Sequence, residues 1–363
     1  MRAGVGLRKV RVLLARWLRG RAALPLLALV AIATLFALDN AVFGRRVSVD
    51  CPRLKQNVTK GVHNANGIKG RAAIVSCAKD GERLVESFMR PTFSSIGNLF
   101  EYHQVIIVES NSHDQTRERL AEWTCDAPDQ LQLMLYDHKG DIAHWRNKYL
   151  EEVLRADPPF DYMVVVDSDM RSVSVAGIQD SLLNHNELHW GAMVANGVRY
   201  LDKAYYDVIA LRTKENNFGW DPAHGNLPPH GPIVDWGRAI RNFTIRIEDT
   251  WPPLRVQSAF GGVGVYKVPA LRGCSYCNHG CIAAEKAGRS GGVDQGFLCE
   301  HVPLSDCITR KNGFGVFLNP KMGAEWHHAC ADCCADRGLS CEACAKAPCA
   351  PRFDNLTIRF PVV

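Results

Sequence analysis

The run Tyr162-Met163-Val164-Val165-Val166 leaves this chain little choice. It ends in three β-branched residues, which favour an extended strand, and a run apolar at every position is buried on both faces. Such a strand belongs in the middle of a sheet covered by helices. It is followed at once by Asp167-Ser168-Asp169. A doubly buried strand cannot hide a carboxylate, so the two acids mark its exposed carboxyl end. In open α/β sheets that edge is where ligands bind. Oxygen ligands on one short turn suit a hard cation, Mg²⁺ or Mn²⁺, which in turn holds diphosphate oxygens. An isolated Asp-x-Asp is more often an ordinary polar turn, so the context decides.

The context is a β-α alternation. Ala72 to Cys77 reads as a strand and Glu82 to Met89 as a helix. His103 to Glu109 is a second strand, followed by a helix from Thr116 to Trp123 that Ser112 to Gln115 can cap. Leu131 to Tyr136 is a third strand, Ile142 to Leu154 a helix, and Asp161 to Val166 the fourth strand. Strands alternating with helices predict parallel β-α-β units with helices on both faces. Beyond Met170 the regularity fades. Residues 171–257 are rich in Trp, Tyr, Pro and Gly. Most of these aromatics read as core and loop residues, and a subset on loops is suited to stacking on sugar rings.

The amino terminus places the chain in a compartment. Seven basic residues, Arg2, Arg8, Lys9, Arg11, Arg16, Arg19 and Arg21, precede an uncharged run from Ala22 to Leu38. That run is at the short end of what crosses a bilayer. No small-x-small cleavage site follows it, so a signal anchor is expected rather than a cleaved signal. The basic flank keeps residues 1–21 cytosolic. Residues 39–70 read as a luminal stem, 71–328 as the main domain and 329–363 as a cysteine-rich tail. Fourteen cysteines and the sequons at Asn57, Asn242 and Asn355 agree with a secretory compartment. The net charge of +5 lies in the cytosolic flank and gives no sign of a nucleic-acid partner.

Four segments of the first half then fall into line. The first strand ends at Ser76-Cys77. The second runs into Glu109-Ser110-Asn111-Ser112-His113-Asp114-Gln115-Thr116. The third helix carries Arg146-Asn147, and the fourth strand ends in Asp167-Ser168-Asp169. This order resembles the nucleotide-sugar glycosyltransferases of the GT-A fold, a Rossmann-like α/β domain with a mixed sheet. The resemblance covers about residues 71–328. It implies a nucleoside contact at Glu109 and a Ser-x-Asp-x-Thr turn at Ser112 to Thr116, which contains Asp114. It also implies a nucleotide site framed by Ser76, Asp114, Arg146, Asn147 and Asp167, and a metal held by Asp167 and Asp169. Within that class the Arg146-Asn147 helix and Phe314 to Pro320 look most like the fungal capsule-associated α-mannosyltransferases. That group often has a looser acidic motif than the Asp-Ser-Asp found here.

The second half must supply the acceptor side. Ser258 to Tyr266 contains Gly261, Gly262 and Gly264, which allow close backbone approach to a ligand, the plain alternative being a bulged strand with no ligand. It is not a dinucleotide fingerprint, since the glycine spacing differs. Gly292 to His301 offers Asp294 and Glu300 as carboxylates for acid–base work. His301 is a candidate third metal ligand, with His327 competing. Arg146 or Arg171 could pair with a phosphate. Each of these has a plain alternative as a hydrogen-bonded structural residue. Cys274-x2-Cys277-x3-Cys281, and Cys330-x2-Cys333 with Cys341-x2-Cys344, have zinc-like spacing, but a luminal setting favours disulfides.

The expectation is a single-pass type II membrane glycosyltransferase of the endoplasmic reticulum or Golgi. Its catalytic domain would be luminal, using Mn²⁺ or Mg²⁺ and a GDP- or UDP-sugar. It would pass a hexose, mannose among the candidates, to a glycan or glycoprotein acceptor. The alternatives are a metal-dependent nucleotidyl- or phosphotransferase and a non-catalytic luminal glycan-binding protein.

Overall fold

The computed structural model describes residues 61–138, 140–199, 203–213, 245–277 and 299–326. Among the described residues ten strands form a single mixed sheet with helices on both faces. In its first half β2 (Ile68–Ala78), β3 (Phe100–Ser110), β4 (Leu131–Tyr136) and β5 (Tyr162–Val166) are all parallel. β2 comes first in the chain yet lies between β3 and β5. The strand order therefore reverses beside β2, and the carboxyl ends of β2 and β5 open a crevice there.

Both faces of the central strands are buried, as the unbroken apolar run requires. Ala73, Val75, Met163 and Val165 face one core, while Ala72, Ile74, Val164 and Val166 face the other. Helical turns at Glu82–Leu84 and Val85–Met89 lead into α1 (Arg90–Gly97). The helix expected to stop at Met89 continues because Pro91 falls in the first turn of α1, where a missing N–H is tolerated. α2 (Thr116–Asp126) packs Leu120 and Trp123 against the second core. α3 (Ile142–Arg155) starts where Asp141 accepts the His144 N–H at 2.8 Å, and packs Trp145, Tyr149 and Val153 against the first.

The other half of the sheet is built differently. It contains β6 (Met170–Val173), β7 (Trp190–Arg199), β8 (Leu254–Val256), β9 (Val263–Lys267) and β10 (Gly315–Trp326). β9 lies antiparallel between β5 and β7, and β10 runs parallel to β7 but antiparallel to β6 and β8. α4 (Val175–Leu183) covers β10, and α5 (His301–Asp306) brings Glu300 and His301 into the interior. β10 outruns the expected strand at Phe314–Pro320. A register shift between Asn319 and Gly323 accommodates Pro320.

The sheet also reaches into the stretch assigned to the stem. β1 (Val62–His63) pairs with β3, and β2 begins at Ile68. Cys274 forms a disulfide with Cys307, and Cys277 is disulfide-bonded too, so the first cysteine cluster follows the disulfide reading and not the zinc one. Among the described residues no helix is long and apolar enough to cross a membrane. The segment 22–38, the three sequons, Asp294, His327 and the tail 329–363 lie outside those residues.

Candidate functional site

A cavity of about 540 Å³ occupies the crevice at the reversal of strand order. Cys77, Ala78 and Lys79 at the end of β2 form one wall. Ser110 and Asn111 enter from the end of β3, with Asn111 in the left-handed region at φ +52°. His138, Ile142, Trp145 and Arg146 close the α3 side, and Asp167, Ser168 and Asp169 form the floor. The His138 and Tyr136 rings pack on Trp145 with centroids 4.8 and 4.9 Å apart.

Arg146 organises the deep end. It is buried, and donates to Asp167 Oδ1 at 2.8 Å, to Glu300 Oε1 at 3.0 Å and to the Tyr149 hydroxyl at 3.2 Å. Its guanidinium also lies 5.0 Å from the centre of the Phe260 ring. Burial opposes its charge, but Tyr149, Asp167 and Glu300 outweigh that and hold its pKa well above the ordinary value. Burial pushes the Asp167 carboxyl up to about 7. Arg146 pulls the other way, and Asp169 adds to the rise.

Each acid of the Asp-Ser-Asp turn ties one oxygen to the chain. Asp167 Oδ1 receives Arg146, and Asp169 Oδ2 receives the Trp326 indole N–H at 3.3 Å. Among the described residues Asp167 Oδ2 and Asp169 Oδ1 take no hydrogen bond or ion pair. The floor thus presents two oxygens from neighbouring carboxylates, with one guanidinium shared between Asp167 and Glu300. A divalent cation fits this donor set and would relieve the crowded negative charge. No three His, Cys, Asp or Glu side chains among the described residues could hold a metal by themselves. The arrangement therefore suits an Mg²⁺- or Mn²⁺-like ion whose remaining ligands are phosphate oxygens and water, not an all-protein cage.

Several residues named from sequence are used elsewhere. Glu109 is fully buried, accepting the Ser112 N–H at 2.8 Å on one oxygen and Arg117 Nε at 2.7 Å on the other. It shapes the turn that delivers Ser110 and Asn111, rather than facing the cavity itself. Asp114 accepts the Glu82 and Thr116 N–H groups, each at 3.0 Å, and so caps two helical starts. Ser76 is buried beside Cys77, its hydroxyl reaching the Cys77 carbonyl at 3.3 Å. Asn147 clamps the Tyr276 main chain, donating to its carbonyl and accepting its N–H, both at 2.8 Å. Arg171 is exposed on β6, outside the cavity lining.

Glu300 is buried against Arg146, its position fixed by that ion pair. His301 is not brought to the two aspartates. Its ring is stacked on Phe260 at 3.8 Å, and among the described residues neither ring nitrogen has a hydrogen-bond partner, Nε2 lying 3.6 Å from Glu300 Oε1. Burial first, and Arg146 second, hold its pKa well below the ordinary value, so the imidazole is neutral. The glycines expected to face a ligand instead let the chain approach itself. Gly261 and Gly262 have φ of +66° and +85°. A Cβ on Gly261 would sit 2.4 Å from the Ala195 carbonyl oxygen, and one on Gly262 2.5 Å from Met170 Sδ.

The structure adds residues that the sequence did not single out. Cys77 and Lys79 line the cavity because β2 ends there, and burial pushes the Cys77 thiol up to about 12. Asp207 accepts the Gly261 N–H at 2.8 Å and the Ala210 N–H at 3.3 Å, and burial pushes its carboxyl up to about 6. Trp326 reaches Asp169 from the far end of β10. The order of the first strands could have flagged Cys77 and Lys79. No local pattern points to Asp207 or Trp326.

No protein-family model matches the chain, and no curated protein sequence matches it. Solved structures do resemble it in part. One is the mannosyltransferase PcManGT from Pyrobaculum calidifontis in complex with GDP-Man and Mn²⁺, at 13% identity and a TM-score of 0.42. The match covers 75% of this chain and 60% of that one. A second is S. aureus TarS 1-349 in complex with UDP-GlcNAc, at 12% identity and a TM-score of 0.40, covering 71% and 59%. A third is GalNAc-T7 with UDP, GalNAc and Mn²⁺, at 12% identity and a TM-score of 0.41, covering 73% and 45%. This chain therefore spans less than two thirds of each of those chains.

Proposed function

We propose that the chain is a divalent-metal-dependent glycosyltransferase of the GT-A kind, transferring a hexose from a GDP- or UDP-sugar to a glycan or glycoprotein acceptor. The observation that carries the reading is the Asp167–Asp169 floor. Among the described residues the two carboxylates each keep one oxygen unengaged, at the sheet edge where a diphosphate would lie, in a cavity of about 540 Å³. The sequence resemblance to capsule-associated α-mannosyltransferases makes mannose the first donor sugar to test. The basic flank and apolar run at the amino terminus, together with the Cys274–Cys307 disulfide, support a luminal domain behind a signal anchor. The membrane would be that of the endoplasmic reticulum or Golgi.

In the proposed reaction an acceptor hydroxyl oxygen bonds to the anomeric carbon of the donor sugar. The bond from that carbon to the diphosphate oxygen breaks, and the nucleoside diphosphate leaves with the electron pair. A bound Mn²⁺ or Mg²⁺ would neutralise charge developing on the diphosphate. Asp167 and Asp169 would hold it through their unengaged oxygens. Lys79 lines the same cavity and can pair with a phosphate. Trp145, His138 and Asn111 offer flat and polar surfaces to the nucleoside. Arg146 keeps Asp167 and Glu300 in place. In an inverting transfer a carboxylate takes the acceptor proton, and Asp294 is proposed for that role. In a retaining transfer the carboxylate would instead stabilise the positive charge that develops on the sugar ring, and Glu300 holds the deep end in either case. His327 follows Trp326 in the chain, and Trp326 touches Asp169. It is the stronger choice for an auxiliary metal ligand, since His301 is turned onto Phe260.

The test is release of GDP or UDP from a panel of sugar nucleotides by the full chain, with Mn²⁺ and with EDTA. Metal-dependent release that Asp294→Asn lowers about 10²- to 10⁴-fold supports the assignment. Binding of glycans with no nucleotide affinity would replace it with a lectin role.

A further inference from the structure

The Asp-Ser-Asp turn is gripped from two sides by distant parts of the chain. From the sheet, the Asp167 N–H donates to the Gly262 carbonyl at 2.9 Å. From the far end of β10, the Trp326 indole N–H donates to Asp169 Oδ2 at 3.3 Å. The indole is itself seated. It stacks on the Tyr206 ring with centroids 5.1 Å apart and planes 17° from parallel. The Tyr206 hydroxyl reaches Met170 Sδ at 3.7 Å, on the residue that follows Asp169. Gly262 leaves room for this assembly, since a Cβ there would lie 2.8 Å from the Tyr206 hydroxyl.

Asp169 is exposed, and an exposed carboxylate is ordinarily free to rotate. Here one oxygen is occupied by a donor on a rigid ring, which turns the other oxygen to a fixed side. Groups that bond the remaining oxygen of a metal-binding carboxylate set its direction. We propose that Trp326, backed by Tyr206, is a positioning residue that presents Asp169 Oδ1 to the divalent cation. This inference rests on the metal-dependent reading above. It adds that metal affinity depends on a residue 157 positions away in the chain.

The experiment uses the full-length chain purified in detergent. Mn²⁺ is titrated alone, and again with GDP or UDP present, while electron paramagnetic resonance follows the free ion. Wild type is compared with Trp326→Phe, Tyr206→Leu and Asp169→Ala, and each variant is melted in EDTA. Trp326→Phe keeps an aromatic ring on Tyr206 but loses the N–H. It should melt as wild type does in EDTA and bind Mn²⁺ about ten-fold more weakly. Tyr206→Leu, which unseats the indole, should weaken Mn²⁺ in the same direction. If Asp169→Ala weakens Mn²⁺ and both other variants bind it as wild type does, the positioning role is overturned and the metal site stands. If wild type itself binds no Mn²⁺, the metal reading falls and the positioning role with it. Should Trp326→Phe fail to fold, Tyr206→Leu decides alone, and wild-type Mn²⁺ binding by it overturns the inference.

Discussion

The β2-to-β5 half of the sheet and the β7-to-β10 half do different jobs for one site. The first is built of neighbours in sequence, each strand joined to the next parallel strand by a helix. It carries Asp167, Asp169, Arg146 and most of the cavity wall. The second is woven from distant segments, with β9 inserted between β5 and β7. It contributes Glu300 to Arg146, Trp326 to Asp169 and the Gly262 carbonyl to the Asp167 N–H. The groups that line the cavity come from the regular half, and bonds that orient its two aspartates come from the irregular one.

The largest test of that division lies on the first half. Asp169→Ala should cost about 10³-fold in turnover, the equivalent of several kcal/mol of charge stabilisation, and leave the melting temperature unchanged because the side chain is exposed. Activity within a few-fold of wild type in excess Mn²⁺ would remove Asp169 from the metal site. Next comes the tie between halves. Arg146→Met strips the partner from two carboxylates at once and should cost about 3–5 kcal/mol by chemical denaturation. Adding Glu300→Gln should recover part of the loss. No loss at all would mean that the halves are joined by something else.

A smaller effect is confined to the first half. His103 is buried on β3, and burial lowers its pKa from the ordinary 6.5 to about 4. The unfolded chain then binds a proton that the folded chain refuses between those values. This stabilising contribution is complete above about pH 6.5 and is lost as pH falls toward 4. At about 1.36 kcal/mol per pKa unit the full loss is roughly 3 kcal/mol. Denaturation midpoints across that range check it, and His103→Gln should flatten the slope. The smallest effect is at Asn147. Asn147→Ala removes two bonds to the Tyr276 main chain and should cost about 1–3 kcal/mol. Unchanged stability would make that contact between the halves dispensable.

The sequence reveals the first half because its information is local. Apolar runs, helical spacing and strand-end acids all lie within a few residues of what they specify. Even so, Glu109 and Asp114 stood out as ligand contacts and proved to be turn builders. The composition of a turn does not say whether a carboxylate faces outward or caps its own backbone. In the second half the partners are far apart. Asp207 meets Gly261 across 54 residues, and Trp326 meets Asp169 across 157. Gly261 and Gly262 announced a close approach correctly, but only the fold shows that the approaching group is the chain itself. His301 looked like a ligand by residue type, yet it is wedged against Phe260.

The Cys274–Cys307 disulfide closes a covalent ring whose arc includes Asp294 and Glu300. A protease that cuts once between those cysteines cannot divide the protein. The two fragments would migrate as one species until the sulfur bridge is reduced, and Glu300 would remain tethered within reach of its guanidinium. Nicking followed by electrophoresis with and without thiol, and a turnover assay before reduction, would therefore tell whether the protein works as two polypeptides whose one covalent link across the cut is sulfur.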